Sequence, residues 1–231
     1  MRVFAIGDLH LSSTGEKPMD VFGPAWADHQ SKIEAGWREA VADGDLVLLC
    51  GDLSWAMRLP QALDDLAFVE GLPGTKYFIQ GNHDYWFSSP SRVRAALGPS
   101  TRLIRFDAAV QGGVGICGVR GWIAPGHPDY DPDEDERHWQ RAAARFRLSL
   151  NALAVLEWKL AVAMFHYPPR GAEGDTELSA MAAEAGVGWC VYGHLHGEDA
   201  GRSFEGEAGG VVYRCVSADH IAFRPLLLFE T

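Results

Sequence analysis

Short, unbroken runs of Val, Ile, Leu, Phe and Cys recur along the chain, and most close on a polar or glycine-containing block. Apolar runs of about four to eight residues without alternation are the pattern of strands buried on both faces, as in parallel sheets. Strands are therefore predicted at residues 3–6, 46–50, 76–79 and 103–106, with 114–119 continuing the same sheet after a turn at Gln111-Gly112-Gly113. A later group, at 160–165, 189–192, 211–216 and 225–229, is predicted to form a second sheet half.

Between the runs the period changes. Ile33, Trp37 and Val41 are spaced by four, which lays one apolar stripe on a helix over 28–42 that Asp43-Gly44 should stop. Pro60 suits the first turn of a helix carrying Leu63, Leu66, Ala67 and Glu70, ended by Gly71-Leu72-Pro73-Gly74. Pro90 opens a short helix to residue 97, and a long one is predicted over 136–158 with Arg137, Arg141, Arg145 and Arg147. Arg137, Arg141 and Arg145, spaced by four, read as a solvated face turned toward the acidic stretch 131–136. Residues 11–24 and 125–135, rich in Pro, Gly or Asp, read as loops, and 197–210 as a hairpin-like surface connection.

No internal repeat or linker interrupts this order, so the 231 residues read as one domain over 1–231. Hydrophobic residues at 47% and charged residues at 22% are ordinary for a globular protein, and no apolar run is long enough to span a membrane. Residues 1–6 run straight into Gly7-Asp8 without a small-residue cleavage site, so no signal peptide is expected. Cys50, Cys117, Cys190 and Cys215 sit singly inside apolar runs, which suggests packed thiols in a reducing cytoplasm. A net charge of −11 argues against an extended nucleic-acid surface, because such binding needs clustered Lys and Arg to release counterions. A small anionic substrate must then be attracted locally, by metal.

Ligand-type side chains close five of the runs: Asp8-Leu9-His10, Gly51-Asp52, Gly81-Asn82-His83-Asp84, His166 and Gly193-His194-Leu195-His196. Polar residues at the carboxyl ends of parallel strands face a common crevice, so these distant blocks should converge on a two-metal hydrolytic site. In Asp8-x-His10 and His194-x-His196 an extended backbone would point both side chains the same way, with Gly193 and Gly197 permitting close approach. The carboxylate of Asp52 can bridge two metals. Asn82 and His166 add an amide oxygen and an imidazole, the mixed N/O surroundings of first-row transition metals.

The ordered set D-x-H, G-D, G-N-H-[DE], H and G-H-x-H resembles the calcineurin-like metallophosphoesterase superfamily, across residues 8–196. The resemblance implies an α/β fold, a two-sheet mixed β-sandwich flanked by helices. It implies one metal held by Asp8, His10, Asp52 and His196, and a second held by Asp52, Asn82, His166 and His194. His83 becomes a candidate general acid, with Asp84 orienting its imidazole. The expected cofactors are two divalent transition-metal ions (Mn, Fe, Co, Ni or Zn), and a bridging hydroxide would leave a site of about +1 that welcomes phosphate.

The segment after Asp52, Leu53-Ser54-Trp55-Ala56-Met57, departs from the Val-Asp-Arg-Gly type of the protein Ser/Thr phosphatases, and the acidic chain lacks the basic surfaces of the family's DNA-repair nucleases. The compact pattern looks most like the small bacterial predicted phosphohydrolases. The expected function is a phosphodiesterase on a small or nucleotide-like substrate; a phosphomonoesterase and a non-catalytic interaction scaffold are the alternatives. Lys17, Trp55, Tyr85, Trp86, Arg120, Trp122 and Tyr167 are candidate substrate contacts because each lies beside a metal block or in a loop able to fold over it. Arg120 is the preferred second phosphate clamp, since a guanidinium binds phosphate bidentately.

Overall fold

Alternate residues of each strand are buried against different neighbours, and that period of two builds the protein in layers. The computed structural model describes residues 1–13, 15, 17–171 and 174–231. In chain order these form β1 (Arg2–Ile6), α1 (His29–Ala40), β2 (Leu46–Leu49), α2 (Leu59–Glu70), β3 (Thr75–Phe78), α3 (Pro90–Ala96), β4 (Thr101–Leu103), β5 (Ala108–Gln111) and β6 (Val114–Val119). They continue as α4 (Pro132–Ala154), β7 (Leu160–Phe165), α5 (Glu177–Glu184), β8 (Trp189–Tyr192), α6 (Gly197–Arg202), β9 (Gly206–Ala208), β10 (Val211–Cys215) and β11 (Leu226–Glu230).

One sheet has the order β11-β1-β2-β3-β4 and the other β5-β6-β7-β8-β10-β9. Val3, Ala5, Leu46 and Leu48 of the first pack with Val114, Ile116, Val162 and Met164 of the second. The residues between them turn outward. Phe4, Ile6, Val47 and Leu49 meet Ile33 and Trp37 of α1 and Leu66 and Val69 of α2. On the far side Cys117, Ala163 and Phe165 meet Trp139, Ala143 and Phe146 of α4 and Leu178 of α5. The two mixed sheets flanked by helices are the expected fold class. No helix among the described residues is long and apolar enough to cross a membrane.

Several boundaries and two strand placements differ from expectation. β6 pairs parallel with β7, so it belongs to the second sheet, whereas β11 lies antiparallel beside β1 and closes the first. Which sheet a strand joins is set by backbone pairing, to which side-chain hydrophobicity is blind. β4 ends at Leu103, because Arg105 N–H turns onto Asp107 and Phe106 adopts a left-handed φ of 63°. α1 ends at Ala40 rather than at Asp43-Gly44, since the Asp45 carboxylate binds the Ala42 N–H and pulls the chain out of the helix. α4 starts early, at Pro132, where Asp131 accepts from the Asp133 N–H and Asp133, Glu134 and Asp135 complement the helix dipole. α5, capped reciprocally by Thr176 and Ser179, was not expected. The 11–24 loop contains one short 3-10 turn, Met19–Phe22, and leads into another, Pro24–Trp26, while its Thr14 and Glu16 lie outside the described residues. The 197–210 connection holds α6 before its hairpin from β9 to β10.

Candidate metal centre

All five ligand blocks emerge from the carboxyl ends of strands, after β1, β2, β3, β7 and β8. Backbone hydrogen bonds then tie the loops together: Asp8 N–H to Gly51 O at 2.9 Å, His10 N–H to Asp52 O at 3.0 Å and Gly193 N–H to His166 O at 3.2 Å. The backbone here is not extended, as the Asp-x-His spacing suggested. Asp8, His10, Asp52 and His194 have φ of 57°, 45°, 52° and 73°. Left-handed non-glycine residues are costly and persist where the surroundings over-determine them, as at functional sites.

The glycines fit this crowding. A Cβ on Gly81 would collide with the Asp52 carboxylate, and one on Gly193 with Asp8 Oδ2. Gly197 differs from expectation: it faces open space, and its φ of 54° is what calls for glycine.

The side chains converge. Asp52 Oδ2 lies 3.8 Å from His10 Nε2 and 3.4 Å from His166 Nε2. Asp8 Oδ1 lies 3.9 Å from His196 Nε2 and 3.8 Å from His166 Nδ1. Asn82 Oδ1 approaches His166 Nε2 at 2.5 Å and His194 Nδ1 at 3.0 Å. Two groups, Asp8 with His10 and His196, and Asp8 with Asp52 and His166, each bring their ligand atoms within 4.8 Å of one another. Asp8 belongs to both groups.

Burial makes the cluster electrostatically incomplete by itself. It pushes the Asp8 carboxyl up to about 8 and that of Asp52 up to about 6, only partly offset by His196 and by backbone N–H donors. Burial also drives His166 down to about 3, His194 down to about 2 and His10 well below the usual imidazole range. These three imidazoles are therefore neutral, the form that binds metal, whereas His196 is held above its usual value against burial by Asp219 and Asp8. His10 Nδ1 is buried without a protein partner. Neutral imidazoles, an amide oxygen and buried carboxylates form a donor set suited to divalent transition metals.

Outer partners fix the rings. Cys50 O accepts from His166 Nδ1 at 2.9 Å, which presents Nε2 to the cluster. Asp219, after β10, holds His196 Nδ1 at 2.8 Å and accepts from Gly197 N–H at 3.0 Å. Sequence reasoning missed Asp219, although it follows an apolar strand by the same rule as the other ligands. Trp26 was also missed; its ring meets those of His10 and His196 at 5.9 and 5.5 Å. Asp219→Ala is expected to weaken metal affinity by roughly 10–100-fold while the fold is kept, read by metal titration beside a thermal melt. Unchanged affinity would remove Asp219 from the site.

Asp84 does not orient His83, contrary to expectation. Its Oδ1 accepts from Leu53 N–H, Ser54 N–H and Trp86 Nε1 at 2.8, 3.2 and 2.9 Å, and its Oδ2 from Asp52 N–H and Gly81 N–H at 3.0 and 2.8 Å. The carboxylate binds the β2 and β3 loops together and thereby holds Asp52. The His83 ring instead lies 4.5 Å from Trp55, with Nδ1 3.3 Å from the Tyr85 hydroxyl.

Of the candidate substrate contacts, Lys17 sits over Trp55 at 4.8 Å and over Tyr85 at 5.7 Å, grouping these three beside His83. Arg120 sits over Trp122 at 5.0 Å, and Trp122 meets Tyr167, which packs on His194, at 5.5 Å. Tyr167 is buried and packs 4.0 Å from the His194 ring, so it supports a candidate ligand rather than reaching outward. Trp86 is only 1% exposed, with its indole in the core against Phe78 and Phe87, and cannot touch substrate.

A family model for calcineurin-like phosphoesterases matches residues 1–198. The chain is similar to the solved structure of TT1561 of Thermus thermophilus, at 14% identity and a TM-score of 0.59, with 98% of each chain covered. It is also similar to a protein of unknown function, AQ665, from Aquifex aeolicus, at 14% identity and a TM-score of 0.51, covering 98% of this chain and 95% of that one. At such identity the likeness speaks for the fold alone. No curated protein matches the chain.

Proposed function

The chain belongs to the calcineurin-like phosphoesterase family, and from that premise we propose that it hydrolyses a small phosphodiester at a dinuclear metal centre. The observation that carries the reading is the shared position of Asp52 Oδ2, 3.8 Å from His10 Nε2 and 3.4 Å from His166 Nε2. One carboxylate oxygen is thus near one imidazole of each proposed ligand set. In this reading Asp8, His10, Asp52 and His196 hold one ion of Mn, Fe, Co, Ni or Zn, and Asp52, Asn82, His166 and His194 hold the other. When bound, the ions would supply Lewis acidity at phosphoryl oxygens and water acidic enough to attack phosphorus near neutral pH.

The protein's own groups divide the remaining work. His83 donates a proton to the departing alkoxide, with Tyr85 holding its Nδ1. Burial lowers its pKa, and a bound phosphate anion would favour the imidazolium in return. Trp55, Tyr85 and Lys17 beside His83, and Arg120 and Trp122 beside Tyr167, form two separate groups that offer contacts for two organic arms, which favours a diester over a monoester. The four buried, unpaired thiols support a reducing cytoplasm. We read residues 1–231 as one domain, because β9 and β10 complete the second sheet and β11 the first.

Metal-reconstituted protein assayed on paired aryl monoester and diester substrates tests this. Faster turnover of the diester is expected; preference for the monoester would make the protein a phosphomonoesterase, and no turnover of either would sink the reading. Arg120→Ala should raise KM by about tenfold or more, the scale of one charge-assisted contact, without metal loss. Wild-type kinetics in that variant would remove Arg120 from the site.

A further inference from the structure

Beside the metal cluster lies a cavity of about 190 Å³ whose lining includes Arg105, Arg120, Arg141 and Arg145 and no carboxylate. That is unexpected in a chain of net charge −11. Arg141 and Arg145, with His138, line this cavity from one face of α4; Arg141 is also exposed, whereas Arg145 is half-buried over Phe106, which corrects the expectation of a solvated side chain for Arg145. Arg137 remains exposed.

The guanidinium groups are held in place but not neutralised. Arg105 donates to Gln80 Oε1 and lies over the Phe87 and Phe106 rings at 4.6 and 4.8 Å. Arg145 covers Phe106 at 4.8 Å as well. Arg105 Nε is buried without a hydrogen-bond partner. Among the described residues none of the four arginines makes an ion pair. Asp107 is occupied by Arg94 Nη2 and the Arg105 backbone N–H, each at 2.6 Å. Burial brings the Arg105 guanidinium down to about 10, and the charges of Arg145 and Arg120 add to that. Arrayed cations with a buried donor left over form a preorganised anion receptor.

The receptor adjoins the metal centre. Gln80 precedes Gly81-Asn82, and Arg120 O accepts from the N–H groups of His166 and Tyr167 at 3.0 and 2.8 Å. Whole small-molecule sites enclose roughly 300–1,000 Å³, so this cavity is sized for one substituent. We propose that it is a subsite for a second phosphate, and that the natural substrate is a phosphoester bearing a further phosphate on one organic arm. The proposal rests on the phosphoesterase reading for its catalytic half only.

Two measurements on the metal-loaded protein test it. Calorimetric affinity for pyrophosphate is expected to fall about tenfold or more in Arg105→Gln and in Arg141→Gln/Arg145→Gln, with partial recovery when lysine replaces Arg145. A thermal melt beside each titration shows that the variant is folded, since relief of like-charge repulsion is set against the lost Gln80 bond and the Phe87 and Phe106 contacts. Arg141→Gln alters an exposed side chain and serves alone if a buried change prevents folding. Unchanged pyrophosphate affinity overturns the proposal.

The kinetic arm compares the nitrophenyl ester of thymidine 5′-phosphate with the same ester carrying a 3′-phosphate. The extra phosphate should lower KM about tenfold or more in the wild type, and that advantage should vanish in the double variant. A pyrophosphate site without any KM advantage also overturns the subsite. Failure to turn over either ester instead sinks the phosphoesterase reading, while the calorimetry still decides whether the arginines bind phosphate.

Discussion

Asp52→Asn is expected to abolish turnover and to leave at most one metal ion per chain by elemental analysis. The substitution keeps the size of the side chain and an oxygen for the His83 N–H, which donates to Asp52 Oδ1 at 2.8 Å. What it removes is the negative charge and the second carboxylate oxygen, which lies near both His10 and His166 and is proposed to coordinate metal. Losing an outer partner of a metal ligand typically costs about 10–100-fold, so losing the shared ligand itself should exceed that. Two ions at full occupancy with near-normal turnover would show that the carboxylate bridges nothing.

Stability should move the other way in metal-free protein. Burial raises the Asp52 pKa from 3.8 to about 6, so its ionised form is penalised in the folded state. That cost is absent below pH 3.8, grows as pH rises, and is full above about pH 6. Metal-free Asp52→Asn should therefore melt above the wild type at pH 8, with the difference shrinking on acidification. A metal-free variant melting below the wild type at pH 8 would contradict this account of the site.

His83→Ala should keep both metals and lose about 10²–10⁴ in rate on alkyl phosphodiesters, whose alkoxides depart only when protonated. On a nitrophenyl ester, whose anion leaves unaided, the loss should be far smaller. The contrast isolates proton donation from phosphate binding, because both substrates present the same phosphate to the metals. Two structural facts make it a fair test. The His83 side chain stands outside the Asp52, Asn82 and His166 contacts, and the loop is held by Asp84 through five N–H donors rather than by the imidazole. Equal losses on both esters would assign His83 to phosphate binding instead. Asp84→Asn should in turn damage both substrates alike and lower metal content, since it loosens the loops that carry Asp52 and Asn82.

The strands at 114–119, 160–165 and 189–192 are legible residue for residue, because a strand buried on both faces must be apolar throughout. The ligand blocks are legible because each closes such a run, and carboxyl ends of parallel strands share one edge. Helix ends were less so: at Ala40 and Pro132 the deciding contacts are single carboxylates, Asp45 and Asp131, whose partners hydrophobic periodicity does not reveal. The partner of His83, the burial of Trp86 and the role of Asp219 depend on contacts across loops 2 to 32 residues apart in sequence.

Sequence by itself thus determined which residue types gather at the strand ends, and with them the layered fold and the chemistry of the donor set. Only the tertiary structure decided that β11 joins the first sheet and β6 the second, that four site residues take left-handed backbone, and that Arg141 and Arg145 face a cavity. The reason is one of range. Burial and turn chemistry are written locally in side-chain character. Sheet partnership, ring orientation and the facing of a long charged side chain are set by atoms that only the folded chain brings within a few ångströms.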